Sequence, residues 1–125
     1  MTKIEGVENR KYKRFKARKG AFAILWPDSK KIGEIIDSSS GGLAFYYFAE
    51  ENSPNGSEAV DVFWHDHSFY LSEIPCKTVY EVEIADELPS PPAAMRRIGV
   101  QFEDVTPSQS SQLNHFMQNY TVGEV

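Results

Sequence analysis

The chain has 125 residues and a mass of 14.2 kDa, which suits a single domain with one hydrophobic core. Hydrophobic residues make up 41% of it, and no apolar run approaches the roughly 20 residues that a membrane-spanning helix needs, so we expect no membrane insertion. The net charge of −5 argues against a general nucleic-acid binder, and we expect neither DNA nor RNA as a partner.

The charge is distributed unevenly along the chain. Residues 1–20 hold eight Lys or Arg and two Glu, a net charge of +6, whereas the remaining 105 residues hold five basic and sixteen acidic side chains, a net charge of −11. We therefore expect one domain overall, with a flexible basic arm over residues 1–19 and a folded acidic body over residues 20–125. Such an arm attracts an anion, and the alternative is a solvated tail that keeps the protein soluble.

The first residues and the single cysteine bear on the cellular location. The segment Met1–Gly6 contains no apolar signal core, and Cys76 is the only cysteine, so it cannot form an intrachain disulfide. Both features predict a cytoplasmic protein. Cys76 lies in a strand-like segment, which favours a small buried thiol over a nucleophile or metal ligand.

The body of the chain has the composition of short strands. Seven segments carry this pattern: Gly20–Trp26, Lys31–Ile36, Leu43–Phe48, Ala59–Trp64, Ser68–Leu71, Cys76–Ile84 and Arg96–Glu103. Few residues separate them, and this favours an antiparallel barrel or sandwich over alternating β-α-β units.

The periodicity changes near the end of the chain. Thr106 can cap a helix that has Pro107 at its first position and Gln109 completing a capping box. One face of this predicted helix is apolar, at spacings i, i+3, i+4 and i+7: Leu113, Phe116, Met117 and Tyr120. A terminal helix is therefore predicted to pack on the β-body.

The stretch Asp37-Ser38-Ser39-Ser40-Gly41-Gly42 lies between two predicted strands. Asp37 offers acceptors that match the N–H donors of a guanine edge, and Ser39 offers a small donor and acceptor. Gly41 and Gly42 allow a ligand to approach the backbone and permit positive φ. The same composition is also that of an ordinary turn.

A second motif lies in the basic arm, where Arg10 and Arg14 stand four residues apart in Glu8–Phe15. Together with Asp-x-Ser-x-x-Gly some two dozen residues later, they resemble the two signatures of PilZ domains, which are receptors for the bacterial second messenger cyclic di-GMP. Arg97–Phe102 is similar to the late strand of that family. The ordered resemblance spans roughly residues 8 to 120, which makes it more specific than either short motif.

The resemblance implies an all-β, mainly antiparallel fold: a six-stranded PilZ-like β-barrel with a C-terminal α-helix. It also implies that Arg10 and Arg14 grip phosphate and the guanine O6/N7 edge, while Asp37, Ser39 and Gly42 hold cyclic di-GMP from the barrel surface. Guanidinium suits this role because its planar fork pairs with phosphate or guanine. No other cofactor is expected, and an aromatic residue of the arm, Tyr12 or Phe15, is expected to anchor the arm to the barrel.

The implied function is that of a receptor that changes conformation on binding cyclic di-GMP and passes the signal to an effector protein, such as motility, polysaccharide or pilus machinery. A ligand-independent PilZ-like adaptor is the alternative. A single-stranded nucleic-acid binder is disfavoured because the body is acidic.

The sequence gives little indication of a catalytic site. His65 and His67 flank Asp66 and would share a face of an extended segment, but the sequence shows no third metal ligand near them. The three consecutive serines lack the Gly-x-Ser-x-Gly context of a hydrolase nucleophile. We therefore expect a protein that is not an enzyme, with no catalytic and no metal-binding residues.

Overall fold

The computed structural model describes residues 12–27, 31–49, 59–84 and 94–125. These ranges contain eight strands and one helix: β1 (Phe15–Ala17), β2 (Ala21–Trp26), β3 (Lys31–Ser39), β4 (Gly42–Ala49), β5 (Ala59–Trp64), β6 (Tyr70–Glu83), β7 (Ala94–Phe102), α1 (Pro107–Asn119) and β8 (Thr121–Glu124).

The strands close into a barrel. Neighbouring strands follow the order β2, β5, β6, β7, β4, β3, and β3 pairs again with β2. Every pairing is antiparallel. The predicted six-stranded antiparallel barrel with a C-terminal helix is thus confirmed. Two further strands extend the sheet sideways: β1 pairs with the C-terminal part of β3, and β8 pairs with β1.

Alternation along the strands builds the core. In β2, Ala21, Ala23 and Leu25 are buried, whereas the side chains between them face outward. Phe45 and Ile98, on the neighbouring strands β4 and β7, are completely buried in the same cluster. The prediction that Cys76 is a buried thiol is confirmed by its 4% exposure.

The helix begins as its sequence predicts. The Thr106 hydroxyl accepts from the Gln109 N–H at 3.0 Å, and the Gln109 side chain accepts from the Thr106 N–H at 3.1 Å. Leu113 and Phe116 are buried in the barrel core. The capping box and the apolar face of the helix are therefore confirmed.

Four features differ from the predicted elements. Strand β3 continues through Ser39, so that only Ser40 and Gly41 form the turn; the extension is stabilised because β1 pairs with Asp37 and Ser38. Strand β6 is one continuous strand where the sequence suggested two. Strand β8 was not predicted, since four exposed or half-buried residues after a helix give little periodicity. Strand β1 lies within the predicted arm of residues 1–19.

Within the described ranges, no helix combines the length and the apolar character needed to cross a membrane. The same ranges contain no group of three or more His, Cys, Asp or Glu side chains that could hold a metal ion.

Candidate ligand-binding site

A pocket of about 330 Å³ opens on the outer face of the barrel, over β3, β4, β7 and β6. Four of the five residues that the sequence predicts to bind ligand line this pocket: Arg14, Asp37, Ser39 and Gly42. The fifth, Arg10, lies outside the described residues. The pocket therefore joins the end of the basic arm to the β3–β4 hairpin.

Strand register explains the shape of the pocket. Asp37 pairs with Ala44, Ala44 pairs with Gly99, and Gly99 pairs with Tyr80, so that four strands contribute one row of side chains. The two central residues, Ala44 and Gly99, are small and form the floor of the pocket, while Asp37 and Tyr80 form its sides. A Cβ at Gly99 would lie only 2.1 Å from the Tyr80 ring, so glycine is needed for the ring to lie over the sheet.

Two β-bulges turn the sides of the pocket outward. The register of β3 shifts between Ile35 and Asp37, and that of β6 shifts between Thr78 and Tyr80. Without these bulges, alternation from the core residue Ile35 would point Asp37 into the barrel. The same reasoning from Cys76 would bury Tyr80. The bulges thus place both polar side chains on the outer face, where they line the pocket.

Asp37 on β3 is held by Arg97, which lies two strands away in the same sheet, on β7. The Asp37 side chain is 7% exposed, and its Oδ2 lies 3.5 Å from Nη2 of Arg97. The Nε–H of Arg97 donates to the Tyr80 hydroxyl at 2.8 Å. This hydrogen bond raises the pKa of Arg97, and the charge of Asp37 adds to the effect. A permanent cation therefore orients the carboxylate at the edge of the pocket.

Ser39 and Gly42 shape the hairpin turn. The Ser39 hydroxyl accepts from the Gly41 N–H at 3.1 Å and donates to the Gly42 carbonyl at 3.4 Å, which fixes the turn locally. Neither glycine adopts the positive φ that the sequence allowed for. Instead, a Cβ at Gly42 would lie 2.2 Å from the Val100 carbonyl oxygen, so glycine is required there by the close approach of β7.

The end of the arm packs on this turn. The Tyr12 ring lies against Gly41, where an added Cβ would come within 2.3 Å of it. This contact agrees with the expectation that an aromatic residue anchors the arm to the barrel. Arg14 follows on the rim of the pocket and is half-buried.

The sequence alone did not identify Tyr80, Arg97 or Gln101 as residues of the pocket region. A signal was present in Arg97-x-Gly99-x-Gln101, because alternation puts these three positions on one face and a glycine within a strand marks a close approach. The position of Tyr80 depends on the bulge in β6, which the sequence does not reveal.

The fold is a small closed β-barrel domain with a polar pocket on its outer wall. An arginine before the first strand and a carboxylate at a hairpin give this pocket the groups that bind a phosphorylated, hydrogen-bonding ligand. The PilZ domain family model matches residues 8–119. The chain belongs to the PilZ domain family.

Solved structures share this fold. YcgR from Escherichia coli in complex with c-di-GMP matches with a TM-score of 0.62 and 18% identity, over 88% of this chain and 45% of that one. The PilZ domain of the same protein with c-di-GMP gives a TM-score of 0.63 at 16% identity, covering 90% and 91% of the two chains. MrkH, a c-di-GMP-dependent transcription regulatory factor, gives 0.59 at 16% identity, covering 89% and 50%.

The chain thus spans less than half of the full YcgR chain. A search of curated proteins gave no significant match.

Proposed function

We propose that this protein is a receptor for cyclic di-GMP, which binds at Arg10, Arg14, Asp37, Ser39 and Gly42 and changes how the protein meets an effector. The observation that carries the proposal is that Arg14, from the arm, lines the same pocket as the three hairpin residues. Membership of the PilZ family and the likeness to structures with bound c-di-GMP support the same ligand.

The pocket offers groups for the phosphate and for the guanine base of this ligand. The Arg14 guanidinium pairs with a phosphate or with the O6/N7 edge of guanine. The Asp37 carboxylate accepts from guanine N–H donors. The Tyr80 ring packs against Gly99 at the side of the pocket and is the aromatic group available there to a base.

The proposed signal is a change in the part of the arm before β1, residues 1–14, as it closes over the ligand. The charge density of this segment leaves little apolar area to offset the entropy of ordering it, so the ligand supplies the missing interactions. An effector protein then reads the surface that the arm and the barrel create together. We expect this to happen in the bacterial cytoplasm, without catalysis.

Titration calorimetry with cyclic di-GMP tests the proposal. We expect saturable binding by the wild-type protein and at least about tenfold weaker binding by Asp37→Asn, because the amide presents N–H donors to guanine donors. Asp104→Asn removes the same charge from an exposed loop residue outside the pocket, and it should bind as the wild type does. Cyclic di-AMP should not compete, since adenine replaces the O6 acceptor by a donor.

If the folded wild-type protein gave no heat with cyclic di-GMP, the receptor proposal would fail and the ligand-independent adaptor would replace it. Equal losses in Asp37→Asn and Asp104→Asn would show that binding occurs but does not use the predicted site.

A further inference from the structure

A second exposed surface lies on the outer face of β2, β5 and the adjoining halves of β3 and β6. We call it the aromatic face, and its apolar members are Phe22, Ile24, Trp26, Ile32, Phe63 and Tyr70. The register joins them across strands, because Phe22 pairs with Phe63 and Phe63 with Tyr70. The ligand pocket does not include any of these residues.

The rings of the face stack on one another around Phe63, which is itself only 8% exposed, and the side chains at the margin are exposed. The ring centroids of Phe63 and Tyr70 are 5.3 Å apart, those of Phe22 and Phe63 are 5.8 Å apart, and the His67 ring stacks on Phe63 at 5.2 Å. Around this stack, Trp26, Ile32 and Tyr70 are 37%, 45% and 43% exposed. Large apolar side chains gathered on one sheet face are typical of a docking surface.

Charge limits the kind of partner. Glu34, Asp61 and Glu73 lie on the register rows of the aromatic face or next to them, and Asp66 lies in the adjoining β5–β6 turn. Asp61 accepts from the Tyr70 hydroxyl and from the Glu73 N–H, both at 2.7 Å. Asp61 is only 4% exposed, so the exposed Glu34 and Glu73 give this apolar face its acidic character.

No Lys or Arg in the described strand segments of this face points outward to offset these carboxylates. Lys31 is the only basic residue there, and it is 1% exposed, with Nζ 3.6 Å from Glu81 Oε1. A partner must bring its own cations.

We propose that the aromatic face docks a segment of a partner protein that is both apolar and basic. Apolar side chains of the segment cover Ile32 and Trp26, while Lys or Arg side chains reach Glu34 and Glu73 and lie over the Tyr70 ring. This surface is separate from the pocket, so a protein that failed to bind cyclic di-GMP would still bind such a segment. The two proposals therefore fail independently.

A synthetic amphipathic peptide of leucine and lysine is the probe, and a peptide in which glutamate replaces lysine is its control. Fluorescence anisotropy should show saturable binding of the lysine peptide only. Ile32→Ser should weaken it about three- to tenfold, because the serine buries far less apolar area. Val82→Ser, at a valine of 48% exposure on β6 outside the aromatic face, should change it less than about twofold.

A second pair of variants tests charge. Glu73→Gln should weaken lysine-peptide binding more than Glu124→Gln, which removes the same charge from exposed strand β8. Amide NMR shifts caused by the peptide should cluster at Phe22, Ile32 and Tyr70.

Three outcomes would overturn the proposal. If the two variants of either pair weakened peptide binding equally, the peptide would be attracted diffusely to the acidic body of the protein. If the glutamate peptide bound as well, the partner would not need to be basic. Shifts on the aromatic face that depend on protein concentration without peptide would identify a second copy of the chain as the occupant instead.

Discussion

The backbone N–H of Val125 donates to the carbonyl oxygen of Arg14 at 2.8 Å, which ties the end of the described chain to the second arginine of the motif. The next residue pair, Phe15 and Glu124, is in register between β1 and β8. The backbone that leads to Arg14 is thus held on one side by β3 and on the other by β8. We infer that β8 orients Arg14, the arginine proposed to bind the ligand.

Val125→Pro should therefore weaken cyclic di-GMP binding about two- to tenfold, since it removes one hydrogen bond of net value near 1 kcal/mol. Val125→Ala keeps the N–H and serves as the matched control. Calorimetry on both variants, repeated in an Arg14→Ala background, checks the mechanism. In that background Val125→Pro should cause no further loss of affinity. If it caused the same loss as in the wild type, its effect would not act through Arg14.

Gly42→Ala should destabilise the fold, because the new Cβ would lie 2.2 Å from the Val100 carbonyl oxygen. Relieving this clash requires the backbone of β7 to shift, which costs more than rotating a side chain. A cost of about 1–3 kcal/mol in the free energy of unfolding is expected from such overpacking. Gly41→Ala is the control, since its Cβ meets only the half-exposed Tyr12 ring, which can rotate away. Urea denaturation should rank the two variants in that order, and equal midpoints would contradict the packing argument.

Local features of this fold could be predicted from the sequence. The helix start depends on Thr106 and Gln109, which are close in the chain, and the strand composition depends on alternation within each segment. The motif residues Arg14 and Asp37 were found in the same way, through their neighbours. The roles of Arg97 and Tyr80 could not be predicted because they depend on register across strands and on bulges that reverse the alternation.

The Tyr70 hydroxyl should make folding stability depend on alkaline pH. Its hydrogen bond to Asp61, with a contribution from burial, raises the pKa of Tyr70 from an ordinary 10.0 to about 12. The folded state holds this proton more tightly than the unfolded state does. The stabilisation is therefore complete below pH 10.0 and is lost as the pH rises toward about 12.

Tyr70→Phe should remove this contribution, which will be modest because the ring is 43% exposed to screening solvent. Absorbance titration of tyrosinate should lose a component that titrates near pH 12 in this variant and keep it in Tyr46→Phe. If the free energy of unfolding depended on pH above 10.0 in the same way in the wild type and in Tyr70→Phe, the hydrogen bond to Asp61 would not be formed in solution.

Arg97→Lys should weaken cyclic di-GMP binding about tenfold, although the charge is kept. Lysine cannot bond the Tyr80 hydroxyl and Asp37 through one planar group, so the carboxylate loses its orientation. The neighbouring Arg96→Lys is the control, because Arg96 Nη1 pairs with Glu81 and not with a pocket residue. If both variants bound equally well by calorimetry, Arg97 would have no part in positioning Asp37.

The two kinds of cation in the arm should differ sharply in their effect on ligand binding. Because a guanidinium makes charge-assisted hydrogen bonds, Arg14→Ala should cost roughly 1.5 to 3 kcal/mol, about ten- to more than a hundredfold in affinity. Arg14→Lys should lose nearly as much, since it keeps the net charge but removes the fork.

Lys13→Ala, at an exposed neighbour, should cost little and mainly alter the salt dependence, because charges in water are screened over about 10 Å at 0.1 M salt. Calorimetry at two salt concentrations separates the two effects. The test of the motif assignment is which variant loses more affinity, because nonspecific attraction by positive charge would make Arg14 and Lys13 contribute equally. Arg14→Lys with wild-type affinity, beside a Lys13→Ala that binds far more weakly, would replace the specific contact by diffuse attraction to the arm.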